Sequence, residues 1–372
     1  KEKVGYYKYR KNAKTGGERM RKGKRLIAWI MAVVMLFTIC VFGGNGTAEA
    51  AATTPVAKHG RLSVKGADLV DSKGNKFQLR GISTHGINWD VGSPYVNKKA
   101  FKTLRDDWGV NAIRLAMYTE EYNGYCSGGS QAKLRKQVDK GVGYATDLGM
   151  YAIIDWHILS DGNPNKNKSQ AKKFFTTMAK KYKNNKNVIY EICNEPNGCS
   201  WKEIKSYATD IIKTIRKYDK KAVIIVGTPT WSQLGTDGTS NEVADSPIKG
   251  YKNIMYSLHF YASEWAHNEY LPAKVAYARK KKLPIIVSEF GLSPASGDGA
   301  INKASADKWM KLLNKYNISY FCWSLSNKNE SASLLKPSTK KTSGWKSGDL
   351  STAGKYIKKK YLARKKALGK KA

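Results

Sequence analysis

Cysteine and histidine are scarce in this 372-residue chain, five of each, and no Cys-x-x-Cys, His-Glu-x-x-His or His-x-His spacing occurs. That removes the common zinc scaffolds and argues against a small disulfide-stapled fold. No strand-like segment runs into a glycine-rich phosphate turn, which argues against a nucleotide-binding sheet. There are no internal repeats and no linker followed by a second module. Acidic residues are also few, 29 Asp and Glu against 66 Lys and Arg, for a formal charge of +37. Such an excess favours solubility and weak attraction to acidic polymers, and says nothing about fold.

What is present begins with a targeting pattern. Arg21 to Arg25 is basic, Leu26 to Phe42 is apolar, and Ala48-Glu49-Ala50 supplies a small-x-small cleavage pattern. Residues 1–50 therefore read as an upstream segment plus a signal peptide, with Met20 as the natural start. An uncleaved anchor is the rival reading, since the apolar stretch is long for a signal and short for a full span. The expectation is a secreted, extracellular protein with no stable membrane association after cleavage. Once Cys40 is removed four cysteines remain. Cys193 and Cys322 fall inside strands and read as buried free thiols; Cys126 and Cys199 fall in loops, where pairing stays open.

From residue 60 the pattern is regular. Leu62–Gly66 and Phe77–Gly81 flank the turn Asp71-Ser72-Lys73-Gly74-Asn75 and read as a hairpin whose second arm continues into a barrel strand. Apolar strands follow at 77–83, 111–117, 151–157, 188–195, 222–228, 254–261, 284–290 and 318–325. Helical periodicity fills 97–109, 131–148, 169–184, 201–218, 272–282, 303–316 and 351–363, and the link between the fifth and sixth strands is loop-like. Eight strands with helical crossovers predict an α/β fold, a (β/α)8 barrel with an N-terminal β-hairpin, over residues 60–363. Residues 364–372 read as a basic C-terminal tail whose end frays.

Active sites of such barrels form at the carboxyl ends of the strands. Those ends carry His85, Arg114, Tyr118, His157, Asn194, Glu195, Trp231, His259, Tyr261, Glu289 and Trp323. Three of the five histidines converge there. Two strands end on a glutamate, Glu195 and Glu289, and a carboxylate at the mouth of a buried strand is costly to desolvate. A facing pair of carboxyls is the equipment for cleaving a glycosidic bond with retention. One must stay protonated as acid/base and the other anionic as nucleophile. Arg114 and Tyr261 would keep Glu289 charged, which makes Glu195 the acid/base; position alone permits the reverse. Trp89, Trp231 and Trp323 offer flat apolar faces suited to a pyranose ring.

These residues resemble a known family. Asn194-Glu195-Pro196, Ser288-Glu289-Phe290-Gly291 and Asp155-Trp156-His157 are similar to motifs of glycoside hydrolase family 5, and more narrowly of its secreted bacterial endo-β-1,4-glucanases. The resemblance covers roughly residues 60–363. It implies a retaining barrel enzyme acting on β-1,4-glucan, with Glu195 as acid/base and Glu289 as nucleophile. It also implies that Arg114, His157, Asn194, His259, Tyr261 and Trp323 match further active-site positions, that His85 and Trp89 lie on the substrate side, and that Lys328 and Glu330 touch sugar hydroxyls. No cofactor and no metal is implied. The expected partner is a β-glucan polysaccharide, and the expected state a monomer. Mannan, xyloglucan or mixed-linkage glucan is the nearest alternative substrate. A nucleic-acid-binding protein, invited by the charge, is disfavoured because the lysines are spread over every helix.

Overall fold

The computed structural model describes residues 54–369. The leader and its rival anchor reading lie outside the described residues; among those described, no helix is long and apolar enough to cross a membrane.

A short hairpin of β1 (Ser63–Lys65) and β2 (Asp68–Val70) precedes eight parallel strands that close into a barrel. These are β3 (Arg80–Thr84), β4 (Ala112–Tyr118), β5 (Tyr151–His157), β6 (Val188–Glu191), β7 (Ile224–Val226), β8 (Ile254–Tyr261), β9 (Ile285–Gly291) and β10 (Tyr320–Leu325). Strand β10 pairs with β3 to complete the ring. Seven long helices pack outside: α1 (Lys98–Trp108), α2 (Gln131–Asp147), α3 (Lys168–Tyr182), α4 (Trp201–Arg216), α5 (Trp265–Lys280), α6 (Lys303–Lys315) and α7 (Thr352–Gly369). Outward strand residues such as Ile113, Leu115 and Ile154 meet the apolar helix faces in one continuous core. Inward residues stack in layers, as the period of two along a strand requires.

The lowest interior layer is apolar. Ala112, Tyr151, Ile153, Ile189, Val223, Ile225, Met255, Ile286 and Phe321 fill it. Gly81 pairs with Phe321, and a Cβ on Gly81 would sit 2.0 Å from that ring. Only glycine leaves room for the phenyl group at this level.

The N-terminal hairpin exists but in a different register from the expected one. Strands β1 and β2 pair antiparallel around Gly66-Ala67. The Asp71–Asn75 turn is a second reversal, built by Asp71 Oδ1 accepting from the amides of Lys73 and Asn75. Both turns carry turn chemistry, and the shorter one sets the pairing. Leu62, Leu69, Phe77 and Leu79 join the lowest interior layer, so this hairpin packs against the barrel floor.

Two helices depart from expectation. Helix α5 begins at Trp265, seven residues before Pro272, which stands inside it; reading Pro272 as a first helical residue places the start too late. Helix α7 runs to Gly369 instead of fraying after residue 363. Arg364 Nε donates to Gln78 Oε1 at 2.8 Å and Tyr361 Oη to the Gly81 carbonyl at 2.8 Å, tying it under the barrel. The β7–β8 connection is loop-like apart from short turns at 229–232 and 242–245. Cys193 and Cys322 are buried and free, and Cys126 and Cys199 are also free thiols.

Candidate active site

Above the apolar floor lies a polar layer organised by one guanidinium. Arg114 on β4 is fully buried. Its Nε donates to Glu191 Oε2 at 2.6 Å, Nη1 to Glu289 Oε2 at 2.9 Å, and Nη2 to Asn194 Oδ1 at 2.5 Å, with Asp155 Oδ2 3.1 Å from Nη2. Three carboxylates around one cation hold Arg114 ionised despite the cost of burying it. They also repel one another. Burial lifts Asp155 to about 7 against the pull of Arg114, and burial with Asp155 nearby raises Glu191.

The two strand-end glutamates meet over this layer. One carboxylate oxygen from each, together with a ring nitrogen of His259, lie within 4.8 Å of one another. That matches the short separation of about 5–5.5 Å between carboxyl groups in retaining glycosidases. Glu289 is pinned at both oxygens, Oε2 by Arg114 and Oε1 by Tyr261 Oη at 2.7 Å. Glu195 is held by His259, Nδ1 to Oε1 at 2.8 Å. Burial, reinforced by Asp155 and Glu191, pushes Glu195 up to about 8, with Arg114 opposing. Burial and Arg114 push His259 down to about 4, so its ring is neutral near pH 7. One carboxyl carries a proton and the other sits between a guanidinium and a phenol.

The same trio is the one group of acidic, histidine or cysteine side chains among the described residues spaced for a cation. Its donor atoms are already engaged, and a guanidinium stands in the cluster. The set is built for proton transfer rather than for a metal.

Glu195 rides on a loop whose neighbours are clamped. Thr230, Trp231 and Ser232 adopt left-handed backbone at φ 57°, 51° and 63°, followed by Leu234 at 62°. Each such non-glycine residue costs about 1–2 kcal/mol. The turn is held by Ser232 Oγ donating to the Asn194 carbonyl at 2.7 Å and by the Trp231 amide donating to the Pro196 carbonyl at 3.1 Å. Gly227 permits the close approach, since a Cβ there would lie 2.4 Å from the Cys193 carbonyl oxygen. The result presents the Trp231 indole, 44% exposed, beside Glu195.

An open cleft of about 550 Å³ runs over these groups. It brings together twelve of the fourteen sequence-predicted residues; Arg114 and Asn194 lie beneath it. On one side His85, Trp89, Trp323, Lys328 and Glu330 form an aromatic and polar cluster. The His85 and Trp323 rings are 5.2 Å apart, and Lys328 Nζ is 2.5 Å from Glu330 Oε2. Tyr118 and His157 form the middle wall, with centroids 4.1 Å apart, and His157 stacks on Trp323. Burial and Arg114 push His157 down to about 3. Trp231 and Gln233 line the cleft as well. Sequence reasoning missed Asp155 and Glu191 as site residues, although Asp155 stands in the Asp155-Trp156-His157 motif, and it missed Ser257 and Ser288. An acidic residue a few positions inward from a strand end was the available signal for the first two.

A barrel with paired carboxyls at the carboxyl ends of its strands, flanked by indoles in an open cleft, has the layout of a glycosidase site. The comparisons agree. A family model described as cellulase, glycosyl hydrolase family 5, matches residues 70–329. An endoglucanase of Clostridium saccharobutylicum is 47% identical over 90% of this chain and 72% of its own length. Endoglucanase 5 of Pectobacterium carotovorum subsp. carotovorum is 44% identical over 87% of this chain, which spans 62% of that relative. The catalytic domain of Thermobifida fusca endoglucanase Cel5A, solved with cellotetraose, superposes with a TM-score of 0.78 at 36% identity, over 83% of this chain and 99% of that one. The chain belongs to glycosyl hydrolase family 5, the cellulase family, and is an O-glycosyl hydrolase.

Proposed function

We propose that this hydrolase is a retaining endo-β-1,4-glucanase acting on cellulose and related β-glucans by double displacement. The observation that carries the reading is the 4.8 Å grouping of Glu195 and Glu289 oxygens on the cleft floor. Glu289, its oxygens set by Arg114 and Tyr261, attacks the anomeric carbon while Glu195 gives its proton to the departing glycosidic oxygen. Glu195, now a carboxylate, takes a proton from water, which attacks the glycosyl-enzyme ester and restores both carboxyls. The open cleft favours attack within a chain, and the endoglucanase relatives support a glucan substrate. His85, Trp89, Lys328 and Glu330 would grip sugars on one side of the scissile bond and Trp231 on the other. The basic, apolar and small-residue segments near the N-terminus support export of the protein to the extracellular medium, where it would act as a monomer.

The test is reducing-sugar release from a panel of carboxymethylcellulose, mixed-linkage glucan, xyloglucan, mannan and xylan, with the anomer of the first product read by NMR. Cleavage of carboxymethylcellulose with initial release of the β-anomer is expected. An α-anomer, or activity confined to mannan or xylan, would overturn the reading.

A further inference from the structure

Behind the reacting groups lies a file of hydrogen bonds that the double displacement does not use. Ser257 on β8 and Ser288 on β9 are completely buried. Ser257 Oγ donates to Glu191 Oε1 at 3.2 Å, and Ser288 Oγ donates to Ser257 Oγ at 3.1 Å. His259 Nε2 lies 2.8 Å from Ser288 Oγ, and Nδ1 lies 2.8 Å from Glu195 Oε1. A register slip makes this possible. Ser257 pairs with Ile286 and His259 with Glu289, so β9 carries one extra residue, and Ser288 and Glu289 both turn into the barrel.

The direction of the file is fixed at its far end. Glu191 is an acceptor, with its other oxygen taken by Arg114 Nε at 2.6 Å. Each serine has one proton to give. Ser257 spends its proton on Glu191, and Ser288 spends its own on Ser257. Ser288 is then left to accept, so the ring proton of neutral His259 sits on Nε2 and Nδ1 presents a lone pair. Whatever faces that lone pair at 2.8 Å must be a donor, and the group there is the Glu195 carboxyl.

We infer that Ser257 and Ser288 are positioning residues that select the Nε2–H tautomer of His259 and thereby keep the proton on Glu195. This rests on the acid/base reading of Glu195 given above. Other groups bear on the same carboxyl and ring: Arg114 and Tyr118 from β4, Asp155 and His157 from β5, Glu191 from β6, Glu289 from β9, Tyr261 from β8 and His267 from α5. Of these only Glu191 is bonded to either serine, and it keeps its Arg114 bond when Ser257→Ala removes the other.

The two serines fail differently. In Ser257→Ala, Ser288 loses its acceptor and can turn its proton toward His259 Nε2, which moves the ring proton to Nδ1 and favours an ionised Glu195. In Ser288→Ala, Nε2 loses its partner and the tautomer is no longer selected. The experiment is kcat/KM against pH for both variants, on a soluble β-glucan and on an aryl cellobioside whose leaving group needs no proton. The alkaline limb on glucan should move to lower pH by about one unit, more in Ser257→Ala, with the loss at pH 8 far exceeding that at pH 5. The aryl substrate should lose much less. Nitrogen-15 spectra of histidine-labelled protein should show His259 protonated at Nε2 in the wild type and at Nδ1 in Ser257→Ala.

An alkaline limb that stays in place in both variants, or one uniform loss across pH and substrates, would overturn the inference. So would failure of both variants to fold, which would make the hydroxyls supports of the barrel. Glu195→Gln on the same two substrates separates this from the parent reading. If it loses equally on both, Glu195 is not the donor and that reading falls. If it spares the aryl substrate while the serine variants show no such contrast, the inference on Ser257 and Ser288 falls alone.

Discussion

Arg114 Nη1 lies 2.9 Å from Glu289 Oε2, and the same guanidinium reaches Glu191 through Nε at 2.6 Å. One buried cation therefore aims Glu289 and anchors the polar layer beneath it. Removing it leaves carboxylates unpaired in an apolar surround, which costs about 3–5 kcal/mol. Arg114→Met is expected to lose activity and to lower the melting midpoint steeply at pH 7. Arg114→Lys keeps the charge but cannot bond two carboxylates through separate planar nitrogens. Its melting midpoint should recover in part while kcat stays low. Scanning calorimetry and turnover on carboxymethylcellulose check both.

Glu289→Gln preserves shape and both hydrogen-bond partners but removes the attacking charge. Turnover should fall by at least about 10³-fold with an unchanged circular dichroism spectrum. Substantial residual hydrolysis would show that another group is the nucleophile.

Glu195 also makes a prediction about stability. Its folded pKa is raised above the ordinary value of 4.5 to about 8, so the stability it contributes is complete below about pH 4.5 and drains away as pH rises through 8. The slope in that window is about 1.4 kcal/mol per pH unit at most. Glu195→Gln cannot ionise. Its unfolding free energy relative to wild type should therefore climb between pH 5 and pH 8, measured by urea denaturation at several pH values. A difference independent of pH would show that the carboxyl is not held protonated by the fold.

Trp231 lines the cleft with a partly exposed indole. Trp231→Ala should raise KM for soluble glucan by roughly ten-fold, the scale of one lost aromatic contact, with a smaller change in kcat. Melting should hardly move, because the left-handed turn is held by backbone and Ser232. A kcat loss exceeding the KM change would mean that the indole also sets the geometry of Glu195.

Chelation addresses the cation-like spacing of Glu195, His259 and Glu289. Activity after dialysis against EDTA is expected to match the untreated enzyme, since Arg114 and Tyr261 hold both Glu289 oxygens and His259 Nδ1 and Glu195 Oε1 are bonded to each other. Loss restored by a divalent ion would contradict that.

Barrel and site were legible for one reason: a strand in a parallel barrel announces itself as a short apolar run, and the residues at its carboxyl end stand on the working rim. Glu195, Glu289, His157, His259 and Trp323 could be read off that way. Glu191 was passed over as part of the apolar run Val188–Glu191, although a carboxylate inside such a run is the mark of a polar layer on the barrel axis. Ser257 and Ser288 were hidden for a sharper reason. Ser288 follows Ile286 inward by ordinary alternation, and a slip of one residue against β8 turns Glu289 in beside it, so alternation read back from Glu289 assigns Ser288 to the opposite side. The hairpin was misplaced because two adjacent turns competed and length decided between them.

The N-terminal hairpin lends Leu62, Leu69 and Phe77 to the lowest interior layer. The barrel is thus a blind cup with its bottom stoppered, and a polymer cannot thread it from end to end. A strand of glucan has to lie across the rim, entering and leaving sideways, so neither of its termini needs to be found before a bond is cut.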